Sequence, residues 1–65
     1  MFRIKKVLNH NVVIGVQEEN QKECLIMEKG IGYGKKPGDK IAPNEYADIY
    51  SLHIERVTGD EIQNK

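Results

Sequence analysis

Ten residues near the middle of the chain, MEKGIGYGKK at 27–36, carry three glycines at alternate positions, three lysines and one tyrosine. Glycine lets a backbone approach a sugar–phosphate chain closely, a tyrosine ring can stack on a base, and lysine ammonium groups bind phosphates. This combination favours contact with RNA. A plain glycine turn, with Tyr33 packed beneath a loop, is the alternative interpretation of the same residues.

A second polar cluster, KKVLNHN at 5–11, lies near the N-terminus. It presents Lys5 or Lys6 together with Asn9 and Asn11. An asparagine amide offers both donors and an acceptor to base edges or 2′-hydroxyl groups. Turn formation alone is the alternative role of the two asparagines. If the two clusters converge in the fold, they predict one RNA-binding surface.

Nucleotide-binding loops and catalytic constellations are poorly supported by the sequence. A Walker-type loop requires Ser or Thr after Gly-Lys at a helix start, whereas Gly34 and Lys35 are followed by a second lysine and Pro37. A dinucleotide-binding fingerprint would need glycine in place of Lys35. Ser51 and Cys24 have no neighbouring base in the sequence, so we do not expect an enzyme.

Metal and disulfide chemistry are also disfavoured. Cys24 is the only cysteine, so no intrachain disulfide can form. His10, His53 and Cys24 are the good transition-metal ligands of the chain, and they lack the paired spacing of a structural zinc site. We therefore expect neither a metal nor a cofactor.

The 65-residue chain has ten Lys or Arg and ten Asp or Glu, and its net charge is zero. These charges are unevenly distributed, because residues 1–40 contain eight basic and five acidic side chains, and residues 41–65 contain two and five. Both polar clusters lie in the basic part. No apolar run approaches the ~20 residues of a membrane span, and no signal-peptide core is present. We expect a soluble, cytoplasmic domain without membrane contact.

The hydrophobic pattern predicts an all-β fold with one small four-stranded antiparallel sheet. The four strands are expected at Phe2–Leu8, Val12–Val16, Glu23–Met27 and Ile49–Val57. The turn formers at 9–11 join the first two strands into a hairpin, and the segment 43–48 could form one helical turn. We assign residues 1–57 to the domain and residues 58–65 to a flexible C-terminal tail.

A four-stranded sheet can bury one face only if something covers it, and a chain this short has a small core. A homodimer packed sheet face on sheet face would supply the cover and form a barrel-like β assembly. Strand parity selects the candidates for the buried face, which are Phe2, Ile4, Val12, Ile14, Leu25, Met27, Tyr50, Leu52 and Ile54. The dimer core is expected to contain Phe2, Ile4, Leu25, Tyr50 and Leu52. Val13, Val16 and Ile26 have the other parity and would be partly covered by loops.

Four features follow one another along the chain: KKVLNHNVVI, a short acidic turn, IMEKGIGYGKK and DIYSL. This order resembles the co-antiterminator RNA-binding domain at the N-terminus of bacterial sugar-operon transcriptional antiterminators. The family pattern is approximately K-x-[LI]-N-N-N, a hydrophobic strand, and G-[RKA]-G-[IL]-[GA]-F-x-K-K. The resemblance implies a dimer that binds an RNA hairpin. Formation of that hairpin excludes a transcription terminator, so polymerase reads through. In full-length family members, two regulatory domains phosphorylated by the sugar phosphotransferase system follow.

The resemblance also implies roles for single residues. Lys6 matches the family's first-strand basic RNA contact, and Tyr33 matches the aromatic that stacks against RNA. The candidate RNA-binding residues are Lys5, Lys6, Asn9, His10, Asn11, Glu28, Lys29, Gly30, Ile31, Gly32, Tyr33, Lys35 and Lys36. His10 replaces an asparagine, but its imidazole can still stack or donate a hydrogen bond. Glu28 stands where the family has glycine, and its negative charge beside RNA is expected to reduce affinity or alter the choice of target. The alternative is that its carboxylate accepts a hydrogen bond from a guanine or cytosine amino group, in which case glycine would weaken binding.

Two other functions stay open at this point. One is a small β module that binds nucleic acid without hairpin specificity. The other is a protein–protein interaction module that uses an exposed strand edge.

Overall fold

The computed structural model describes residues 1–52, which form one antiparallel sheet of five strands in the order β4-β1-β2-β3-β5. The strands are β1 (Phe2–Asn9), β2 (Val12–Gln17), β3 (Glu23–Met27), β4 (Lys40–Ile41) and β5 (Asp48–Ser51). The predicted all-β class is confirmed, but the predicted number of four strands is wrong. The additional strand, β4, pairs with Phe2 and Arg3 at one edge of the sheet. Its two residues are too few to show any periodicity in the sequence.

Two irregularities in β1 shape the first hairpin. The pairing with β2 shifts between Ile4 and Lys6, and again between Val7 and Asn9, so Lys5 and Leu8 are extra residues on the β1 side. Such bulges bend a strand and increase its twist. They allow the eight residues of β1 to pair with the six residues of β2.

The core of the protomer lies on one face of the sheet. Its buried side chains are Ile4, Val13, Cys24, Ile26, Ile31 and Ile41. Ile31, in the segment after β3, packs on the face of the sheet that carries Val13 and Ile26, and Ile41 of the edge strand β4 extends that face. A protomer core of this kind needs no second chain to cover it.

The predicted assignment of faces was wrong for Phe2 and Ile4, and for the expected low burial of Val13 and Ile26. Ile4 lies opposite Gly15, and Gly15 lies opposite Cys24, so Ile4 shares the face of Cys24 and not that of Leu25. Val13 and Ile26, which we expected on the less covered face, are each 0% exposed. Both parities of β2 and β3 are apolar, and the alternation of residue types therefore could not select the buried one.

The opposite face of the sheet, here called the open face, carries Val12, Ile14, Val16, Leu25, Met27 and Tyr50. Ile14 pairs with Leu25, and Leu25 pairs with Tyr50, so three apolar side chains lie in one row across three strands. Met27 is 40% exposed and Tyr50 is 54% exposed. The predicted dimer core is thus divided between two faces. Ile4 belongs to the protomer core and Phe2 packs against it, whereas Leu25 and Tyr50 lie on the open face.

The segment before β5 forms a β-turn and not the predicted helical turn. The Ala47 backbone N–H donates to the Asn44 carbonyl oxygen at 3.1 Å, and the Tyr46 N–H donates to Asn44 Oδ1 at 2.8 Å. The asparagine side chain thus closes an Asx-turn, which stabilises the β-turn. Asp48 then enters β5 opposite Met27.

Several sequence-based expectations fall outside the described residues. They are the part of the fourth predicted strand after residue 52, the side chains of His53 and Ile54, the domain boundary at residue 57 and the tail at 58–65. Within residues 1–52, the structure contains no helix long and apolar enough to cross a membrane.

Candidate nucleic-acid interface

The two polar clusters of the sequence meet at one end of the sheet. The turn between β1 and β2 lies against the segment that follows β3, here called the glycine loop (residues 28–35). Three glycine-loop N–H groups donate to this turn: Glu28 to the Asn11 carbonyl at 3.0 Å, Gly32 to the His10 carbonyl at 2.8 Å, and Gly30 to Asn11 Oδ1 at 2.8 Å. Residues 19 positions apart in the chain therefore form one surface.

The asparagines of the turn have two roles at once. Asn9 Oδ1 accepts the Asn11 backbone N–H at 2.8 Å, and Asn11 Oδ1 accepts the Gly30 N–H at the same distance. Both side-chain carbonyls thus shape the turn and loop. Both asparagines are exposed, and within residues 1–52 their amide NH₂ groups make no hydrogen bond at this surface. These donors can bind phosphate oxygens, base acceptors or 2′-hydroxyl groups.

Two glycines allow the glycine loop to adopt its path. Gly30 has a φ of 78°, in the left-handed region that other residues rarely adopt. A Cβ atom on Gly32 would lie less than 3.0 Å from the Asn9 carbonyl oxygen. Ile31, between them, is only 8% exposed and anchors the loop in the protomer core. Its side chain therefore packs in the core, although the sequence grouped it with the RNA contacts.

The loop and the turn each present one aromatic ring. His10 and Tyr33 meet edge to face, with ring centroids 5.2 Å apart and an interplanar angle of 90°. Tyr33 is 70% exposed, so it is not packed beneath a loop. The contact between the two rings restrains Tyr33, and the exposed part of its ring is available to stack on a base.

The lysines of the predicted site differ in their electrostatic partners. Lys36 Nζ lies 3.3 Å from Asp39 Oδ1, and the Lys36 backbone N–H donates to Asp39 Oδ2. That backbone hydrogen bond, and then the Lys36 side chain, hold the pKa of Asp39 below its ordinary value. Lys5 forms an ion pair with Glu23. Lys6 pairs with Ile14 of β2 in the sheet. Within residues 1–52, Lys6, Lys29 and Lys35 form no ion pair, so their charges are more available to phosphates than those of Lys5 and Lys36.

Glu28 has a structural partner that the sequence did not indicate. Its Oε1 accepts the Asn44 backbone N–H at 3.0 Å, which links the glycine loop to the β-turn at 44–47. The carboxylate is half-buried and does not lie free at the rim. Replacement by glycine, expected from the sequence to raise RNA affinity, would also release this turn. The turn-forming sequence Pro43-Asn44 was the only signal that could have suggested a contact here.

The described residues offer no alternative chemistry at this surface. Among them, no group of three or more His, Cys, Asp or Glu side chains is placed to hold a metal ion. Cys24, one of the candidate reactive side chains, is a buried free thiol. The groups that this surface presents are the amide donors of Asn9 and Asn11, lysine cations, two aromatic rings and the Glu28 carboxylate.

Asn11 provides a direct test of the double role of the turn. We expect Asn11→Ala to lower the free energy of unfolding by about 0.5–1.5 kcal/mol, because the Gly30 N–H loses its acceptor. Asn11→Asp keeps an acceptor for Gly30 and should retain most of this stability, but it replaces the NH₂ donors by a negative charge and should weaken RNA binding. Urea unfolding and RNA titration of both variants separate the two effects. Equal RNA affinity of Asn11→Asp and the wild type would show that the amide NH₂ does not contact RNA.

Comparison with known proteins agrees with the geometry of this surface. Residues 2–63 match the family model described as CAT RNA binding domain. The chain is 37% identical over 57 residues to the beta-glucoside operon antiterminator of Dickeya chrysanthemi, and the aligned region covers 88% of this chain and 20% of that protein. It is 40% identical over 55 residues to the PtsGHI operon antiterminator of Bacillus subtilis strain 168, covering 85% of this chain and 19% of that protein.

A third relative is the transcription antiterminator LicT of Bacillus subtilis strain 168, which is 33% identical over 51 residues, or 78% of this chain and 18% of that protein. The chain thus spans about a fifth of the length of these curated relatives. No solved structure matches it significantly. The family match over nearly the whole chain agrees with the converged turn and glycine loop, and the chain belongs to the CAT RNA-binding domain family of transcriptional antiterminators.

Proposed function

We propose that this domain binds an RNA hairpin whose formation excludes an overlapping transcription terminator, and that it thereby promotes read-through of a sugar-utilisation operon. The observation that carries the proposal is the exposed Tyr33 ring, in edge-to-face contact with His10 and in the same glycine loop as Lys29 and Lys35, on the surface of a CAT RNA-binding domain. The three relatives are antiterminators, and the matching family model describes an RNA-binding domain.

The arrangement of groups suits RNA with unpaired bases. Proteins read RNA sequence mainly in loops and bulges, where unstacked bases are accessible to aromatic rings. Tyr33 and His10 supply such rings, and the amides of Asn9 and Asn11 lie beside them on the same turn. Lys29 and Lys35 supply the salt-dependent attraction to phosphates. A hairpin with an unpaired element would engage all three kinds of group together.

We further propose that a second copy of the chain covers the open face. Ile14, Leu25 and Tyr50 form an apolar row there, and a sheet face of this kind is normally packed against another layer. On the same face, Glu23 Oε1 is buried without a hydrogen-bond partner among the described residues. A facing protomer would exclude water from the row and could supply a donor to Glu23.

In a full-length protein, we propose that this domain precedes regulatory domains controlled by the phosphotransferase system. The chain covers only 18–20% of the relatives, which leaves room in those proteins for other domains.

A salt titration with two RNAs tests the proposed function. The domain is titrated with a hairpin selected from cellular RNA by pull-down, and with a scrambled RNA of the same composition. Tight binding to the hairpin alone, with a steep dependence of affinity on salt, supports the proposal. Equal binding to both RNAs would indicate a module without hairpin specificity. Binding to neither would favour a protein–protein interaction module and would overturn the RNA proposal.

Tyr33 gives the corresponding mutational prediction. Tyr33→Ala should weaken hairpin binding by about 1–3 kcal/mol, the value of one base stacked on an aromatic ring, and should leave the melting temperature nearly unchanged because the side chain is exposed. Tyr33→Phe is the matched control, since it keeps the ring and should retain most of the affinity. Isothermal titration and thermal melting measure the two quantities. A lower melting temperature with unchanged affinity would show that Tyr33 is a packing residue.

A further inference from the structure

An open cavity of about 290 Å³ lies between the glycine loop and β4. This volume is near the lower end of the range for small-molecule sites in proteins, about 300–1,000 Å³. The cavity is separate from the contact between His10 and Tyr33, because neither ring lines it. Its walls are formed by Glu28, Lys29, Gly30, Ile31 and Lys35 from the glycine loop, and by Lys40, Ile41 and Ala42.

The lining of the cavity combines positive charge with a small apolar floor, since most of its exposed surface is polar. Ile31 and Ile41 are core residues that are 8% and 5% exposed, so the floor is fixed by packing. Three lysines and one glutamate supply the charges. Lys40 lies 3.8 Å from Glu18 in a loose ion pair, whereas Lys29 and Lys35 have no ion-pair partner within residues 1–52. A phosphate joined to a flat ring with polar edges, which is the chemistry of a nucleotide, matches such a lining.

The carboxylate of Glu28 adds a feature that a simple anion site would not need. One of its oxygens accepts the Asn44 N–H and is thereby fixed at the cavity wall. Among the described residues, no hydrogen-bond donor engages the other oxygen. A carboxylate repels phosphate but accepts hydrogen bonds from an exocyclic amino group, as Glu does with the N4 amino group of cytosine. The wall therefore favours a base with an amino group over one with carbonyl groups only.

We propose that this cavity binds one nucleotide, with its phosphate at Lys29 and Lys35 and an exocyclic amino group of its base donating to Glu28. The assignment of this nucleotide to RNA rests on the proposed function, and a free nucleotide has the same chemistry. Glu28, which departs from the glycine of the family pattern, then selects the base at this position. Its charge is directed at a base edge and not at the phosphates.

Nuclear magnetic resonance titration with CMP, UMP and inorganic phosphate tests the site in the intact chain. CMP and UMP differ at position 4 of the base, where an amino donor is replaced by a carbonyl acceptor. We expect CMP to shift the backbone amides of Gly30 and Ala42 in a saturable way, with an affinity about five- to tenfold higher than that of UMP. Inorganic phosphate should bind more weakly than either nucleotide. Equal affinities for CMP and UMP, or no shift at these amides, would overturn the proposal.

Two variants separate the role of Glu28 from its charge. Glu28→Gln keeps an oxygen for the Asn44 N–H but places an NH₂ donor in the cavity, so the preference for CMP should disappear or reverse. Glu45→Gln removes the same charge from an exposed position of the neighbouring turn and should leave the preference unchanged. A CMP preference retained in Glu28→Gln would overturn the assignment of Glu28.

Competition with the hairpin identifies the source of the nucleotide. Displacement of CMP by the hairpin supports a nucleotide of the RNA as the natural occupant. If the domain binds CMP selectively but binds no hairpin, the cavity site is supported and its ligand is a free nucleotide. In that case the proposed function is overturned and the cavity site is not. A third outcome is that the hairpin binds without shifting the amides of Gly30 and Ala42, and that CMP does not bind. This outcome would overturn the cavity site and leave the proposed function intact.

Discussion

Replacing Gly32 with alanine is expected to lower the free energy of unfolding by about 3 kcal/mol or more and to abolish high-affinity RNA binding. A Cβ atom at this position would collide with the carbonyl oxygen of Asn9, and it would also lie 3.1 Å from Val7 Cγ1 and 3.2 Å from Val13 Cγ1. A backbone oxygen and a packed core cannot both move aside. The glycine loop would have to leave the turn, and the hydrogen bond from the Gly32 N–H to the His10 carbonyl would be lost.

Gly34→Asn is the matched control for this prediction. Gly34 has a φ of 69°, but a Cβ atom there would have no neighbour within 4 Å, and asparagine tolerates the left-handed region better than most residues. We expect its cost to stay within about 1 kcal/mol. Chemical denaturation and RNA titration of both variants check the difference. Wild-type stability of Gly32→Ala would show that the loop does not lie against the turn in solution.

The second large effect is expected at the open face. Leu25→Asp should raise the dissociation constant of the proposed dimer by at least about 100-fold, equivalent to about 3 kcal/mol, because dimerisation would bury an unpaired carboxylate. Leu25 lies at the centre of the row between Ile14 and Tyr50, whereas the protomer core lies on the other face. The protomer should therefore stay folded when the dimer dissociates.

Sedimentation over a range of micromolar concentrations measures this effect, and circular dichroism checks the fold. Asn20→Asp is the matched control, since it adds the same charge in the exposed turn between β2 and β3 and keeps an oxygen for the Lys22 backbone N–H. It should leave the dissociation constant unchanged. A wild-type protein that is monomeric and folded at these concentrations would contradict the proposed dimer.

The position of the strands followed from the sequence with small errors. Val12–Gln17 and Glu23–Met27 contain β-branched and apolar runs bounded by turn formers, and such local signals do not depend on the rest of the fold. The RNA-binding character of the chain was also visible locally. A tyrosine and lysines among glycines specify what a loop can bind before its position is known.

The faces of the sheet were decided only by tertiary structure. Val12–Val16 is apolar at both parities, so its sequence is compatible with either face in the core. The register of the hairpin with β1, including the extra residues Lys5 and Leu8, places Val13 inside and Ile14 outside. Ile31 and Ile41 are buried with Val13, which agrees with its position on the core face of the sheet. Neither isoleucine belongs to the four strands that the pattern predicted.

The candidate RNA-binding surface also depends partly on local sequence and partly on tertiary structure. Its residue types were evident in the sequence, but the hydrogen bonds that join Asn11 to Gly30 and Glu28 to Asn44 connect positions that are 19 and 16 residues apart. No local pattern encodes such pairs, because they exist only once the turn, the glycine loop and the segment before β5 are packed on one sheet. The sequence by itself therefore determined which groups could meet RNA, and the tertiary structure decided which of them lie together, since packing and register arise only between distant segments.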